Sequence, residues 1–241
     1  MILAVDAGNS RIKWGLHDGT WKTLGTAAHA DAYRLRDVWR NQSAPDYIVI
    51  ANVAGDHVQS CLEKMFNGLG AQVNWVSAQK FQCGVRNGYV VPSQLGADRW
   101  AAAIAAWHFC REACVVVNAG TAVTVDALSE DGVFLGGLIV PGMSLMRDSL
   151  ARNTAALKFE SGVFRPFPVN TADAIESGIV RALCGAIEST RNALRPGKTC
   201  PCLLSGGNAK DLLIHLSPPV KVMENLVLEG LVVIAGEGTA K

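Results

Sequence analysis

Hydrophobic and polar positions along the first half of the chain alternate between strand and helix spacing. An apolar run, Ile2–Val5, breaks at Asp6, turns through Ala7-Gly8-Asn9-Ser10 and resumes as Ile12–Leu16. That pattern predicts a β-hairpin with a polar tip. Trp21–Ala28 reads as a third strand, and Asp31–Arg40 as a helix presenting Leu35, Val38 and Trp39 on one face. Asp46–Ala51 is a buried-strand pattern. In Asp56–Gly68 the apolar residues Val58, Leu62, Met65 and Phe66 fall at helical spacing, with Asp56 as the expected N-cap. Val73–Val76 predicts another strand, Cys83–Pro92 a loop, and Gly96–Cys110 a helix unusually rich in alanine.

The second half repeats the opening. Cys114–Val117 runs into Asn118-Ala119-Gly120-Thr121, and Ala122–Leu128 follows as the hairpin partner. Ser129–Gly132 is a turn and Val133–Val140 a third strand, after which Pro141 is expected to open a helix. Thr171–Leu194 reads as a long helix with Thr171 as its cap. A strand at Pro201–Leu204, a helix at Asn208–Leu216, a strand at Val220–Met223 and a helix at Asn225–Ala235 complete the chain. Val5–Ser10 and Val117–Thr121 therefore occupy equivalent places in a weak duplication. Two lobes are expected, 1–115 and 116–241, with ligands between them at the matching turns.

Composition narrows the chemistry. The 241 residues are 49% apolar and 18% charged with a net charge of +1, which gives no support for a nucleic-acid-binding surface. No apolar run approaches the ~18 residues of a membrane span. The opening residues lack a basic leader, so a cytoplasmic protein is expected. Seven scattered cysteines, with Cys200-Pro201-Cys202 as C-x-C and no histidine beside it, read as reduced thiols. The five histidines show no pairing pattern and read as ordinary core or surface residues. Gly197-Lys198-Thr199 is no P-loop, because Asn192 stands where the first glycine belongs. No dinucleotide fingerprint, zinc-protease, nucleophile-elbow or protein-kinase motif occurs.

The two hairpin tips remain. A carboxylate, a glycine and a hydroxyl suit a nucleotide's phosphates and metal, and equally an ordinary polar turn. Asp98-Arg99 fits a general base beside an anion-binding guanidinium, and equally a helix start favoured by the dipole.

Five segments in order carry a resemblance: Asp6-Ala7-Gly8-Asn9-Ser10, Gly96-Ala97-Asp98-Arg99, Asn118–Thr124, Gly136–Gly142 and Asn170–Ile175. The chain resembles the actin-like ATPase and sugar-kinase superfamily, and within it the type III pantothenate kinases, some of which are described as Bvg accessory factor-like. The resemblance implies an α/β fold of two actin-like (ribonuclease H-like) lobes, each a mixed sheet flanked by helices, with an interlobe cleft. It implies ATP-dependent phosphorylation of pantothenate to 4'-phosphopantothenate, the first step toward coenzyme A. Asp98 would be the general base and Asp6 the Mg2+-side carboxylate. Asp6, Ala7, Gly8, Asn9, Ser10, Arg11, Ile12, Lys13 and Thr121 would bind ATP. Tyr89, Gly96, Ala97, Asp98, Arg99 and Thr171 would bind pantothenate, with Arg99 on its carboxylate. Gly206-Gly207-Asn208 would approach adenine or form a simple turn.

The sequence departs from the family pattern at two positions. Ser10 stands where threonine is usual and keeps the hydroxyl. Asn118 stands where aspartate usually helps bind K+ or NH4+, so dependence on a monovalent cation is expected to weaken. The family forms homodimers with pantothenate near the subunit contact, and the alanine-rich helix is compatible with packing against a second subunit. Two alternatives stand beside this reading. One is another small-molecule kinase of the superfamily; the other is a non-enzymatic transcriptional accessory factor, against which stand the near-zero charge and the absence of a helix-turn-helix pattern.

Overall fold

Strand β1 (Ile2–Ala7) is apolar at nearly every position because both of its faces are covered: Leu3, Ala4, Val5 and Ala7 are all fully buried. It belongs to a computed structural model that describes residues 1–39, 44–153 and 161–239. The chain divides into two units. Unit 1 comprises Met1–Arg111, Gly132–Phe134 and Asn225–Lys241; unit 2 comprises Glu112–Asp131 and Leu135–Glu224. The chain thus crosses between units several times, where a single boundary near residue 115 was expected.

In unit 1, β2 (Ile12–His17) pairs antiparallel with β1, and β3 (Trp21–Ala27) pairs antiparallel with β2. On the other side, β4 (Tyr47–Asn52) and β5 (Gln72–Trp75) continue the sheet in parallel, giving the order β3-β2-β1-β4-β5. Helix α1 (Asp56–Phe66) buries Val58, Leu62, Met65 and Phe66 in a core with Leu3, Val5, Ile12 and Ile48. Its cap is Gly55, and Asp56 is the first helical residue with no capping hydrogen bond from a side chain. The stretch read as a helix over Asp31–Arg40 is a 3-10 helix, His29–Trp39, and Arg40 lies outside the described residues. Within the expected loop Cys83–Pro92, β6 (Phe81–Gln82) and β7 (Val85–Asn87) form a short antiparallel ribbon, and β7 also pairs in parallel with Val133–Phe134.

Helix α2 (Ala97–Cys110) has its alanines fully or almost fully buried. Their partner lies within the chain. The C-terminal helix α6 (Leu226–Thr239) packs along α2 and reaches β1 and β4. The two helices come so close that a Cβ at Gly230 would collide with the Ala101 carbonyl. The small side chains of α2 are therefore used inside unit 1. Trp21 Nε1 donates to Glu229 at 2.7 Å and ties α6 to β3.

Unit 2 repeats the neighbour order. β8 (Cys114–Ala119) pairs antiparallel with β9 (Ala122–Leu128), which neighbours β10 (Val133–Pro141). Across β8 lie β11 (Cys202–Ser205) and β12 (Val220–Val222), both parallel. The order β10-β9-β8-β11-β12 matches β3-β2-β1-β4-β5, so the duplication read from two short turns extends to sheet topology. Helices α3 (Met143–Asn153), α4 (Thr171–Leu194) and α5 (Ala209–Leu213) belong to this unit. α4 and α5 contribute Leu183, Ile187 and Leu212 to a core with Val115, Val117 and Leu204. Pro141 ends β10 and α3 starts two residues later, so Pro141 does not open the helix as expected. The cap of α4 is Asn170, whose side chain accepts from the Asp173 amide at 2.8 Å; Thr171 is the first helical residue. All seven cysteines are thiols, as expected. Among the described residues no helix is long and apolar enough to cross a membrane.

The α2–α6 contact yields a prediction. Gly230→Ala should destabilise unit 1 by roughly 2 kcal/mol or more, because the new methyl meets backbone that cannot yield. Gly185→Ala on α4, where a Cβ meets nothing within 4 Å, should be neutral or stabilising by up to about 1 kcal/mol. Urea denaturation of the two variants beside the parent checks both.

Candidate active site

Asp6 sits near the C-terminal end of β1, the end of a parallel pair at which ligands collect in open α/β sheets. The antiparallel register places Lys13 directly across from it, and the parallel register places Ala51 on the other side. The hairpin tip closes with the Gly8 amide donating to the Arg11 carbonyl at 3.2 Å. That bond leaves Asn9, Ser10 and Arg11 projecting as exposed residues. Ala7 and Ile12, also expected at the nucleotide, are fully buried.

Asp98 enters the same neighbourhood from the first turn of α2. Its Oδ1 accepts from the Arg99 amide at 2.8 Å, which fixes the carboxylate against the helix start. The cap position is Gly96, and a Cβ there would stand 2.7 Å from Asp98 Oδ1 and 3.6 Å from Val53. The glycine is thus required by the carboxylate's position.

The two acids feel each other. Burial above all, and then the charge of Asp98, push the Asp6 carboxyl up to about 7, with Lys13 pulling it down. Asp98 is also raised, by burial first, while the Arg99 amide and guanidinium act against the rise. Below about pH 7 the Asp6 carboxyl therefore tends to hold a proton, which a cation bound there would displace.

A divalent metal fits this arrangement. A dication relieves both the burial penalty and the repulsion between the two carboxylates. Among the described residues no group of three or more His, Cys, Asp and Glu side chains gathers as a metal cage. One or two carboxylates, with water and phosphate oxygens completing the shell, is the donor set of Mg2+.

Arg99 lies beside this pair, 7% exposed, and its guanidinium donates to the Tyr89 hydroxyl at 3.0 Å. The Tyr89 and Phe134 rings meet edge to face, and the Arg99 guanidinium carbon lies 5.9 and 5.7 Å from their centroids. Asn87, itself buried, orders the segment carrying Tyr89: its Oδ1 accepts from the Tyr89 amide and its Nδ2 donates to the Pro92 carbonyl. A planar cation held over two aromatic rings suits a carboxylate ligand. Nothing in the sequence spacing flagged Asn87 or Phe134, because neither belongs to a recognisable motif.

Unit 1 thus contains Asp6, the turn through Lys13, Tyr89 and Gly96–Arg99. The other expected site residues, Asn118, Thr121 and Thr171, belong to unit 2. There the second turn is built tightly. The Gly120 amide donates to the Ala122 carbonyl at 3.1 Å, and the Gly142 amide donates to the Thr121 carbonyl at 2.9 Å. A Cβ at Gly142 would strike the Gly120 carbonyl, and one at Gly206, whose φ is +101°, would stand 2.5 Å from the Ala119 carbonyl. Gly206 and Gly142 therefore wrap the turn from two sides. Thr171 lines an apolar cavity of about 580 Å3 between α3 and α4, together with Leu145, Met146, Leu150 and Ile175.

Comparison with known proteins gives the family. A family model described as type III pantothenate kinase matches residues 2–193. The type III pantothenate kinase of Nitrosospira multiformis is 49% identical over 240 residues, covering 98% of this chain and 92% of that protein. That of Aromatoleum aromaticum is 46% identical over 241 residues and covers 100% of both. Among solved structures, a Campylobacter jejuni protein assigned as a Baf family transcriptional activator superposes with a TM-score of 0.69 at 22% identity, covering 99% of this chain and 100% of its own. A Sinorhizobium meliloti protein assigned as a 2-dehydro-3-deoxygalactonokinase gives 0.60 at 15% identity, covering 98% and 99%. At such identities the structures share the fold. With a family model and full-length relatives in agreement, the chain belongs to the type III pantothenate kinases.

Proposed function

We propose that this protein transfers the γ-phosphoryl group of ATP to the primary alcohol of pantothenate, giving 4'-phosphopantothenate and ADP. The observation that carries the reading is the pairing of Asp6 with Asp98 beside the Arg99–Tyr89 cluster in one unit. Phosphoryl transfer needs positioning and charge compensation more than covalent help from the protein. Asp98 accepts the hydroxyl proton as the oxygen–phosphorus bond forms and the bond to ADP breaks. Its fixed position against the Arg99 amide holds the accepting oxygens in place. Arg99 receives the pantothenate carboxylate, and Tyr89 orients the guanidinium for it. A bound Mg2+ supplies charge compensation on the transferring phosphates, and Asp6 is the residue that would hold it. The hairpin from Gly8 to Lys13 and, from the second turn, Thr121 are assigned to ATP.

The alternatives fare less well. A neutral sugar substrate gives no reason for a buried guanidinium held by Tyr89 and Phe134. A purely regulatory role gives no reason to keep two mutually repelling carboxylates. The proposed setting is the cytoplasm, where ATP is abundant.

Two finer elements belong to the proposal. Asn118 keeps a carbonyl oxygen without the negative charge, so activation by K+ or NH4+ is weak. The chain works as a homodimer, and the surface that supports this lies in unit 2. There Leu145 and Leu150, lining the apolar cavity that Thr171 shares, are 41% and 38% exposed, and Ile139 is 63% exposed. Sedimentation velocity at micromolar concentration should show a dimer that Leu145→Lys dissociates; a monomeric parent contradicts it.

One assay tests the rest. ADP release from MgATP should require pantothenate and fall by about 10²- to 10⁴-fold in Asp98→Asn. Release that needs pantothenate but survives the substitution removes Asp98 as the base. In the same assay, replacing K+ by tetramethylammonium should change the rate by less than about threefold, or about 0.7 kcal/mol.

A further inference from the structure

The register of unit 1 brings an unassigned residue to the phosphate turn. β3 runs back toward the tip of the β1–β2 hairpin, with Ala27 opposite Ile12. Two residues further on, the chain stands level with the turn, and the residue there is His29. Its Nε2 lies 2.8 Å from the Gly8 carbonyl oxygen. A carbonyl oxygen only accepts, so Nε2 carries the hydrogen and donates.

The contact is made from a fixed platform. His29 opens the 3-10 stretch His29–Trp39, whose Ala32 and Leu35 are buried in the unit 1 core at 5% and 1% exposure. The Asp31 amide donates to the Ala28 carbonyl at 3.0 Å and closes the turn that delivers the ring.

The hydrogen bond controls a neighbouring amide. The Gly8 carbonyl and the Asn9 N–H belong to one planar trans peptide and point in opposite directions. Holding the oxygen therefore fixes the direction of the Asn9 N–H. The Gly8 amide is already used by the Arg11 carbonyl. Among the described residues no protein group accepts from the Asn9 amide, and Asn9 is exposed, so this N–H is the donor of the turn available to an anion.

We propose that His29 is a positioning residue for nucleotide binding: by clamping the Gly8–Asn9 peptide it aims the Asn9 N–H at a phosphate oxygen. The ring does not itself touch the nucleotide. The inference rests on the assignment of this hairpin to ATP and deepens it. Donation from the imidazole also polarises the peptide and strengthens the amide as a donor.

The test compares His29→Ala with His29→Gln, whose terminal amide nitrogen occupies nearly the place of Nε2. Two readouts are taken on the full chain: KM for each substrate in the ADP-release assay, and the Kd of a non-hydrolysable MgATP analogue by calorimetric titration. In His29→Ala, KM for MgATP and the analogue's Kd should both rise about tenfold, the effect of one lost hydrogen bond. KM for pantothenate should stay within about twofold, since a local clamp on one peptide leaves the second substrate's contacts intact. His29→Gln should recover most of the loss, which a merely structural packing role would not produce. An unchanged Kd in His29→Ala, equal rises in both KM values, or failure of His29→Gln to recover affinity overturns the proposal. Should the parent release no ADP with pantothenate, the kinase reading fails by itself, and the calorimetric comparison still decides the role of His29.

Discussion

Two carboxylates held near each other where burial already disfavours charge are the constraint on which the rest of unit 1 depends. Asp6 comes from the end of a central strand and Asp98 from the first turn of a buried helix, so the backbone carrying each is fixed by the core. The arrangement is costly as it stands, as the upward shift of both acids shows. What surrounds them reads as compensation: Lys13 across the hairpin, the Arg99 amide on Asp98, and room at Gly96 for the Asp98 side chain. A divalent cation bound there would relieve the repulsion between them.

The duplicated topology explains how a modest chain provides two similar polar turns. Each sheet presents a hairpin beside two parallel strands, and each hairpin tip is a polar–small–glycine–polar sequence. The two tips are supported differently. The first is clamped by a side chain, His29 on the Gly8 carbonyl. The second is wrapped by main chain, with Gly142 and Gly206 pressed against Gly120 and Ala119. Only glycine permits that approach at Gly206, whose positive φ would strain any larger residue.

The parts of the fold set by local pattern were legible in the sequence. Ile2–Val5, Ile12–Leu16 and Asp46–Ala51 read as strands because apolar runs of that length between turns leave little choice. Asp56–Gly68 read as a helix because Val58, Leu62, Met65 and Phe66 share one stripe. Features set by partners distant in sequence were not legible. The alanines of α2 announce a close neighbour but not its identity, and the neighbour is α6, admitted by Gly230. Pro141 is acceptable at the end of a strand as well as at the start of a helix, and the extension of β10 decided it. Asn170 and Thr171 are both good caps, and which one serves depends on where the first turn closes. Of the site, Asp6, Asp98 and Arg99 were visible through family resemblance, whereas His29 and Phe134 enter through register and packing that no motif encodes.

The most direct test of the central constraint is the titration of the Asp6 carboxyl itself, followed by carbon-13 NMR of labelled aspartate in the metal-free protein and in Asp98→Asn. The Asp6 midpoint should lie near 7 in the parent and fall in the variant, while staying above 3.8 because burial remains. An Asp6 that titrates in the ordinary carboxylate range, or one whose midpoint ignores the loss of the Asp98 charge, would contradict the pairing of these two acids as the basis of the site.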